Sequence, residues 1–447
     1  MSASYPIRPV TASELPAFAE VGHEAFNSGW PPDGLLALDR LVFEPERSLA
    51  AFDGDQVVGT AIAYSFGLTV PGGTLPAAGV SSVAVRPSYR RRGILTSLMA
   101  RQLTDVIARG EPVAILFASD AAIYRRFGYG QATASLSFQV SGREARLSPE
   151  AAGHGRLAGP PGTAVPATAG PATAVPATAV PAGPPGTAPV TLRSAEPAKA
   201  AVDMARVYDA IAAVRPGMIT RTRSRWDLTI SDPDFMRDGM TPLRCVVADG
   251  ADGPLGYALY AVKGGWDSDG VPSGALTVHE LFAADAAAYA ALWADLLSRD
   301  LVTTVSARRR PTDDPLPQLL TDPRQVRARI SDGLWVRLAD VPDALTRRRY
   351  ACAVDLVIEV TDRLVPANGG RWRLRAAGAG EPATCEPATA PADVRLDVSV
   401  LGAAYLGESR LSGPAAAGLA AETRPGALAA LSAAMWWEPA PWSPIMF

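Results

Sequence analysis

The sequence predicts a chain of three mixed α/β domains, in which parallel and antiparallel strands share sheets beside packed helices. Three observations carry this. Residues 1–150 alternate between helical and strand periodicity, a Pro/Ala/Thr-rich tract at 151–189 interrupts the pattern, and residues 190–335 repeat the earlier order of strand, tight turn, strand, strand, loop and helix. A last segment, 336–447, holds short alternating strands followed by helical stretches. At 447 residues the chain is too long for a single core, which agrees with division.

In the first segment, "LPAFAEVGHEAF" and "PDGLLALDRLVF" have helical spacing, with Ser13 and Asp33 in N-cap positions. "SLAAFDGDQVVGTAIAYSFGLTV" reads as two strands joined by a turn at Asp53 and Gly54. "GVSSVAVRP" is a third strand, leading through a basic loop into the helix "GILTSLMARQLTDVIA", whose Ile94, Leu95, Leu98, Met99, Leu103, Val106 and Ile107 form one apolar stripe. A buried-type strand "VAILFAS", a short helix around "AAIYRRFG" and a closing strand "ATASLSFQV" complete it. The tract that follows repeats AVPATA with almost no charge, and its prolines forbid helix and sheet ladders, so a semi-extended, disordered linker is expected.

Composition excludes several functions. Hydrophobic residues are 48% and charged residues 19%, and a net charge of -3 gives no general pull toward nucleic acid or anionic membrane. Cys245, Cys352 and Cys385 lack metal-type spacing, so neither a metal site nor a disulfide framework is expected. The first residues lack a basic region followed by an apolar run, and no 18 uncharged apolar residues run together. A soluble cytoplasmic protein is the expectation.

The most informative stretch is "SSVAVRPSYRRRGILTSLM". Three arginines and a glycine stand directly before a helix, whose free N–H groups and dipole attract an anion, while Gly93 lets backbone approach it. Arg90, Arg91 and Arg92 add charge, and a pyrophosphate cradle is the implied chemistry. Residues 80–130 resemble the acetyl-CoA site of the GCN5-related N-acetyltransferases, the GNAT superfamily, whose loop runs Arg/Gln-x-x-Gly-x-Gly/Ala. Arg90, Gly93 and Leu95 hold those positions, Leu95 departing from the pattern. The resemblance implies that the backbone of Val83, Ala84 and Val85 binds the pantetheine arm, that Arg91, Arg92, Gly93, Ile94, Leu95 and Thr96 hold the pyrophosphate, and that Ser119 and Asp120 end the opposing strand.

Across nearly the whole chain, apart from the linker, the sequence resembles the Eis-like (enhanced intracellular survival) N-acetyltransferases. Tandem GNAT domains and a sterol-carrier-like α+β domain are then expected, with a homohexameric assembly. In that family an amine attacks the acetyl-CoA thioester directly, a tyrosine protonates the leaving sulfur and the C-terminal carboxylate withdraws the amine's proton. Tyr124 and Phe447 match these roles. An α-carboxyl with a reference pKa of about 3.3–3.7 is a weak base unless desolvated, and Trp442, Pro444 and Ile445 in "PWSPIMF" would supply an apolar shell.

The second segment replaces "RPSYRRRG" by "AADAAAYA", so its cradle is missing and a scaffolding or pocket-lining role follows. His279 and Glu280 in an alternating strand read as structural. In the third, "DLVIEVTD", "GRWRLRA" and "DVRLDVSV" are strands, and "LGAAYLG" and "GALAALSAAMWW" helices. Such a domain also allows a rival reading, an apolar-ligand carrier or a silent assembly protein. Family members acetylate aminoglycosides and lysine side chains through an acidic pocket. Here Met446 stands where an acidic residue is common, with Asp33, Asp120 and Glu438 as substitutes.

Overall fold

A computed structural model describes residues 5–28, 33–142, 144–149 and 190–447. The expected tether at 151–189 lies outside them.

Three mixed sheets form the scaffold. The first runs, in spatial order, Ile7–Arg8, Ser48–Asp53, Gln56–Val70, Gly73–Val85, Val113–Phe117, Leu334–Leu338 and Gly130–Gln131. Its central hairpin is long because Gln56–Val70 keeps small and β-branched residues on both covered faces. Gly54 enters the left-handed region (φ +59°), and the loop residues between the paired Asp53 and Gln56 are Gly54 and Asp55, one position later than expected. The first helix, Leu15–Ala25, follows a 3-10 turn, Ala12–Glu14. Its cap is Thr11, whose N–H donates to the Glu14 carboxylate (2.8 Å), and the expected Ser13 lies inside the turn. A carboxylate three residues ahead made Thr11 the better cap. Asp33 begins the helix Asp33–Val42, and its side chain falls outside the described residues.

The sheets exchange strands. Ala134–Ser141, which the sequence pattern placed as the closing strand of the first domain, pairs instead with Val302–Arg310 and Arg329–Asp332 in the second sheet. In return, Leu334–Leu338 pairs with Val113–Phe117 and Gly130–Gln131 in the first. Thr133 fixes the crossing: its hydroxyl accepts from the Leu334 N–H (2.8 Å) and its carbonyl from Gly333. Periodicity identifies a strand but not the sheet that receives it, which explains the misplacement. The rest of the second sheet is Gly274–Ala283, Gly253–Lys263, Arg244–Gly250 and Thr191–Ala195.

The third sheet orders Ala383–Pro387, Gly370–Ala376, Val354–Thr361, Val394–Asp397 and Ala420–Glu422. "DVRLDVSV" is a strand only to Asp397, which caps the next helix, Val398–Ala404, by accepting from the Ser399 N–H (2.9 Å). One core joins this domain to the first sheet, with Leu68, Val336, Leu345, Tyr350 and Leu401 in a single buried cluster. No helix among the described residues is long and apolar enough to cross a membrane.

Candidate active site

The cleft begins with a strand that leaves its neighbour. Gly73–Val85 pairs in parallel with Val113–Phe117 only from Ala77 to Gly79. Beyond that point Ser82 adopts φ +50°, a bulge that shifts the register against Thr60–Ile62, and the Thr60 hydroxyl donates to the Ser82 carbonyl (2.8 Å) to hold it. The strand therefore bends away, and its edge from Val80 onward faces an opening rather than a partner. This splay is the physical origin of the site.

At the mouth lies the basic loop. Arg91 (φ +63°) and Gly93 (φ +83°) are both left-handed just before the helix Ile94–Ala108. Such turns aim successive N–H groups into one concavity, and the helix start adds its positive end. A cavity of about 600 Å³ opens there, lined by Val83, Ala84, Val85, Arg91, Gly93, Ile94, Leu95, Thr96, Ser119, Asp120 and Tyr124, the residues expected from sequence. Arg90 also lines it. Arg92 does not: its guanidinium donates to the Tyr5 hydroxyl (3.0 Å) and the Ser88 carbonyl (2.9 Å) and stacks on Tyr89, so it braces the loop from outside. Leu95 lines the cavity and also packs partly on the adjoining core.

Asp120 accepts from the Ala122 N–H (3.0 Å) and caps the short helix Ala121–Tyr124. That turn presents Tyr124, 5% exposed and edge-on to Tyr129 (6.0 Å between centroids). Burial raises the Tyr124 phenol above its usual range, opposed by the nearby Ser119 hydroxyl and reinforced by the Asp120 charge. The phenol is therefore held in its protonated form at neutral pH.

The last segment arrives from the far side. Trp442 docks on Phe282 (4.8 Å) with its main-chain N–H donating to the Pro216 carbonyl and its indole N–H to the Arg309 carbonyl, and Gly217 (φ +88°) permits this approach: a Cβ there would lie 3.0 Å from the Trp442 carbonyl. Arg309 donates to the Pro444 carbonyl (2.9 Å), and Ile445 packs against two cores at once. Phe447 ends between Phe66 (4.9 Å) and Phe117 (5.5 Å), and its main-chain oxygen accepts from the Ser81 hydroxyl (2.8 Å). Ser81 immediately precedes the bulge, so the tail and the cleft converge on the point where the strands part.

Comparison with known proteins gives the same architecture. Residues 6–132 and 217–338 each match the family model for an acetyltransferase (GNAT) domain, and residues 341–444 that for a sterol carrier protein domain. An uncharacterized N-acetyltransferase of Streptomyces avermitilis is 42% identical over 403 residues, covering 90% of this chain and 89% of that one. The N-acetyltransferase Eis of Mycobacterium tuberculosis is 35% identical over 376 residues, covering 81% and 79%. The chain belongs to the Eis-like GNAT N-acetyltransferases. The crystal structure of Eis1 from Mycobacterium abscessus superposes with a TM-score of 0.77 at 31% identity, covering 99% of this chain and 100% of that one.

Within this Eis-like chain the second GNAT domain carries different groups at the corresponding strand-to-helix junction. Asp285 accepts from the Ala288 N–H (2.8 Å) at the start of the helix Ala286–Leu297, so a protein carboxylate already fills the place of an anion. Below it Arg310 reaches the Leu281 carbonyl (2.7 Å) and Asp314 (2.7 Å), which also accepts from Tyr289. This buried cluster bridges the two parallel strands beyond their last paired residues, Val278 and Ala307. Glu280 is held by Arg221 (2.6 Å) and the Tyr257 hydroxyl (2.9 Å), and His279 lines a cavity beside the tail, its pKa lowered by burial. Of the acidic substitutes considered for Met446, Asp120 is engaged as a cap and Glu438 is exposed outside the cavities described. Sequence reading missed Ser81, Phe66 and Phe117. Only the full fold shows that they face the last residue.

Proposed function

We propose that this protein transfers acetyl from acetyl-CoA to a primary amine by direct attack, with the Phe447 α-carboxylate as base and Tyr124 as acid. The observation that carries the reading is the convergence of the Phe447 main-chain oxygen, fixed by Ser81, with the splayed strand whose mouth holds Tyr124. The left-handed Arg91 and Gly93, the helix start and the cavity of about 600 Å³ fit the cosubstrate's pyrophosphate and arm. Acetyl-CoA, when bound, supplies a thioester carbonyl.

Primary amines are mostly protonated at neutral pH, so a base sets the reactive fraction. The Phe447 carboxylate takes the proton, the amine nitrogen bonds to the acyl carbon, the carbon–sulfur bond breaks, and Tyr124 gives its proton to the departing sulfur. Aminoglycosides and lysine side chains, the acceptors that the family resemblance implies, belong in the assay. A homohexamer is the proposed assembly, to be checked by sedimentation. The lipid-carrier rival finds less support: the cavity of about 710 Å³ that reaches the third domain is lined by Arg125, Arg126, Arg363 and Arg395 with Asp362 and Asp397.

The test is a coenzyme A release assay on the native protein, with intact mass establishing Phe447 as its last residue, beside a variant with glycines appended after Phe447. Turnover should be lost while calorimetry still detects acetyl-CoA binding, and a fully active extension refutes the base. Tyr124→Phe should lower kcat about 100-fold or more. Because burial raises the Tyr124 pKa, the acid form persists at alkaline pH, and native turnover should fall only above the ordinary phenol value of about 10. That limb should vanish in Tyr124→Phe.

A further inference from the structure

Two smaller cavities flank the tail. One of about 360 Å³ is bounded by Arg221, Arg225, His279, Arg309 and the segment Pro444–Met446. The other, about 200 Å³, lies against Phe117 and Ala118 and reaches Arg308, Asp332 and again Arg309 and Met446. Ala118 adjoins Ser119 of the cosubstrate cavity. The two smaller spaces thus share Arg309 and Met446, and the second meets the cosubstrate cavity at the Ala118–Ser119 junction.

Their charge is unbalanced. Arg221, Arg225, Arg237, Arg308 and Arg309 face Asp232, Glu280 and Asp332. The carboxylates are already engaged: Glu280 by Arg221 and Tyr257, Asp232 by Arg237 (2.9 Å) and the Leu243 N–H (2.7 Å), and Asp332 by the Trp335 indole N–H (2.8 Å). Arg225, Arg308 and Arg309 form no ion pair among the described residues. Arg225 stacks over Tyr64 (4.2 Å) and Phe66 (5.0 Å), the latter being the ring against Phe447. Its electrostatic neighbour Glu44 is occupied by the Ser65 N–H (2.8 Å) and hydroxyl (2.6 Å). Arg309 has φ +53° at a register shift in its strand, and its Nε holds the Pro444 carbonyl, leaving the two terminal nitrogens to the cavity.

We propose that Arg225, Arg308 and Arg309 form the acceptor-recognition site, and that the preferred acceptor is a primary amine whose molecule also carries a carboxylate. This rests on the amine-transfer reading above. A guanidinium recognises a carboxylate through short, charge-assisted paired hydrogen bonds, and the planar fork fixes the ligand's direction as well as its position. A polycation entering the same space meets uncompensated like charge, which selects against it. Met446, 61% exposed beside these arginines, adds no carboxylate to offset them.

The experiment measures coenzyme A release with four acceptors: Nα-blocked lysyl-glutamate, the matching lysyl-glutamine amide, spermidine and kanamycin. The glutamate dipeptide should exceed its amide counterpart in kcat/KM by at least about tenfold, the scale of a hydrogen bond to a charged group. Arg225→Gln and the exposed Arg308→Gln should each move that ratio toward one through KM, with the acetyl-CoA Kd unchanged, and Arg225→Glu should invert the order in favour of spermidine. Higher turnover of spermidine or kanamycin than of the glutamate dipeptide, or an unchanged ratio in a folded Arg308→Gln protein, overturns this proposal alone. No release with any amine by protein that binds acetyl-CoA overturns the amine-transfer reading along with it.

Discussion

The contact between Gly79 and the last residue is among the most sensitive points of the site. Gly79 is the final residue of the parallel pairing before the strands part, and a Cβ built there would lie 2.2 Å from Phe66 and 3.1 Å from Phe447. Both rings would have to move, and overpacking of this kind costs about 1–3 kcal/mol. Gly79→Ala should therefore dislodge the tail without touching the loop at Arg91 and Gly93. The expected result is a kcat lowered by about tenfold or more with KM for acetyl-CoA little changed, read by steady-state kinetics. A proportionate rise in that KM would mean the substitution deforms the whole cleft. Residues at this scale differ in how far sequence reveals them. Gly93 was legible because its role is local, a left-handed residue before a helix. Ser81 was not, because its partner lies 366 positions away and alternation in a bent strand does not tell which face meets the tail. Arg92 shows the converse: its charge suggested an anion contact, yet Tyr5 and Ser88 turn it outward.

At the scale of elements, helix ends govern how the third domain holds itself and the tail. Arg348 is fully buried with no carboxylate partner among the described residues, and donates to the carbonyls of Ala404 and Tyr405, at one helix end, and of Met435 (2.7 Å), the last residue of Ala427–Met435. Those carbonyls are unpaired within their helices and carry the negative ends of two dipoles, so one cation satisfies both. Burial lowers the Arg348 pKa from a value so high that the side chain stays charged. Arg348→Met keeps the stem but strands the Tyr405 and Met435 carbonyls, that of Ala404 retaining the Gly407 N–H (3.1 Å), and should cost about 3 kcal/mol. A urea titration would show the midpoint falling, and a midpoint equal to that of the native protein would refute this account. Most helices and strands were legible from period and turn residues. The exceptions, such as Val398–Ala404 beginning two residues before the end of a strand-like run, occurred where a capping aspartate, Asp397, outweighed β-branched composition.

The molecule as a whole is bound together by its crossings. The linker and the composition shifts suggested domains that follow one another, and the family matches follow the same order. Yet Leu334–Leu338 completes the first sheet, where all five of its residues are buried, and Val113–Phe117 relies on it for an antiparallel partner from Val113 to Phe117. Its Val336 and Leu338 also belong to the core shared with the third domain. Sequence pattern does not report such exchanges, because a central strand reads the same whichever sheet accepts it. A fragment of residues 1–150 would then expose Val113–Phe117 as an unpaired apolar edge and leave Phe66, Leu68 and Val70 without their cover, a configuration prone to edge-to-edge association. Such a fragment should aggregate, or lack the dispersed amide spectrum of a packed domain, despite containing every residue expected to bind acetyl-CoA. Supplying residues 329–447 in trans should restore both dispersion and binding measured by calorimetry. A monomeric, well-dispersed 1–150 fragment that binds acetyl-CoA unaided would show that the first sheet closes without the returning strand, and the cleft would then belong to one domain rather than to the crossing of all three.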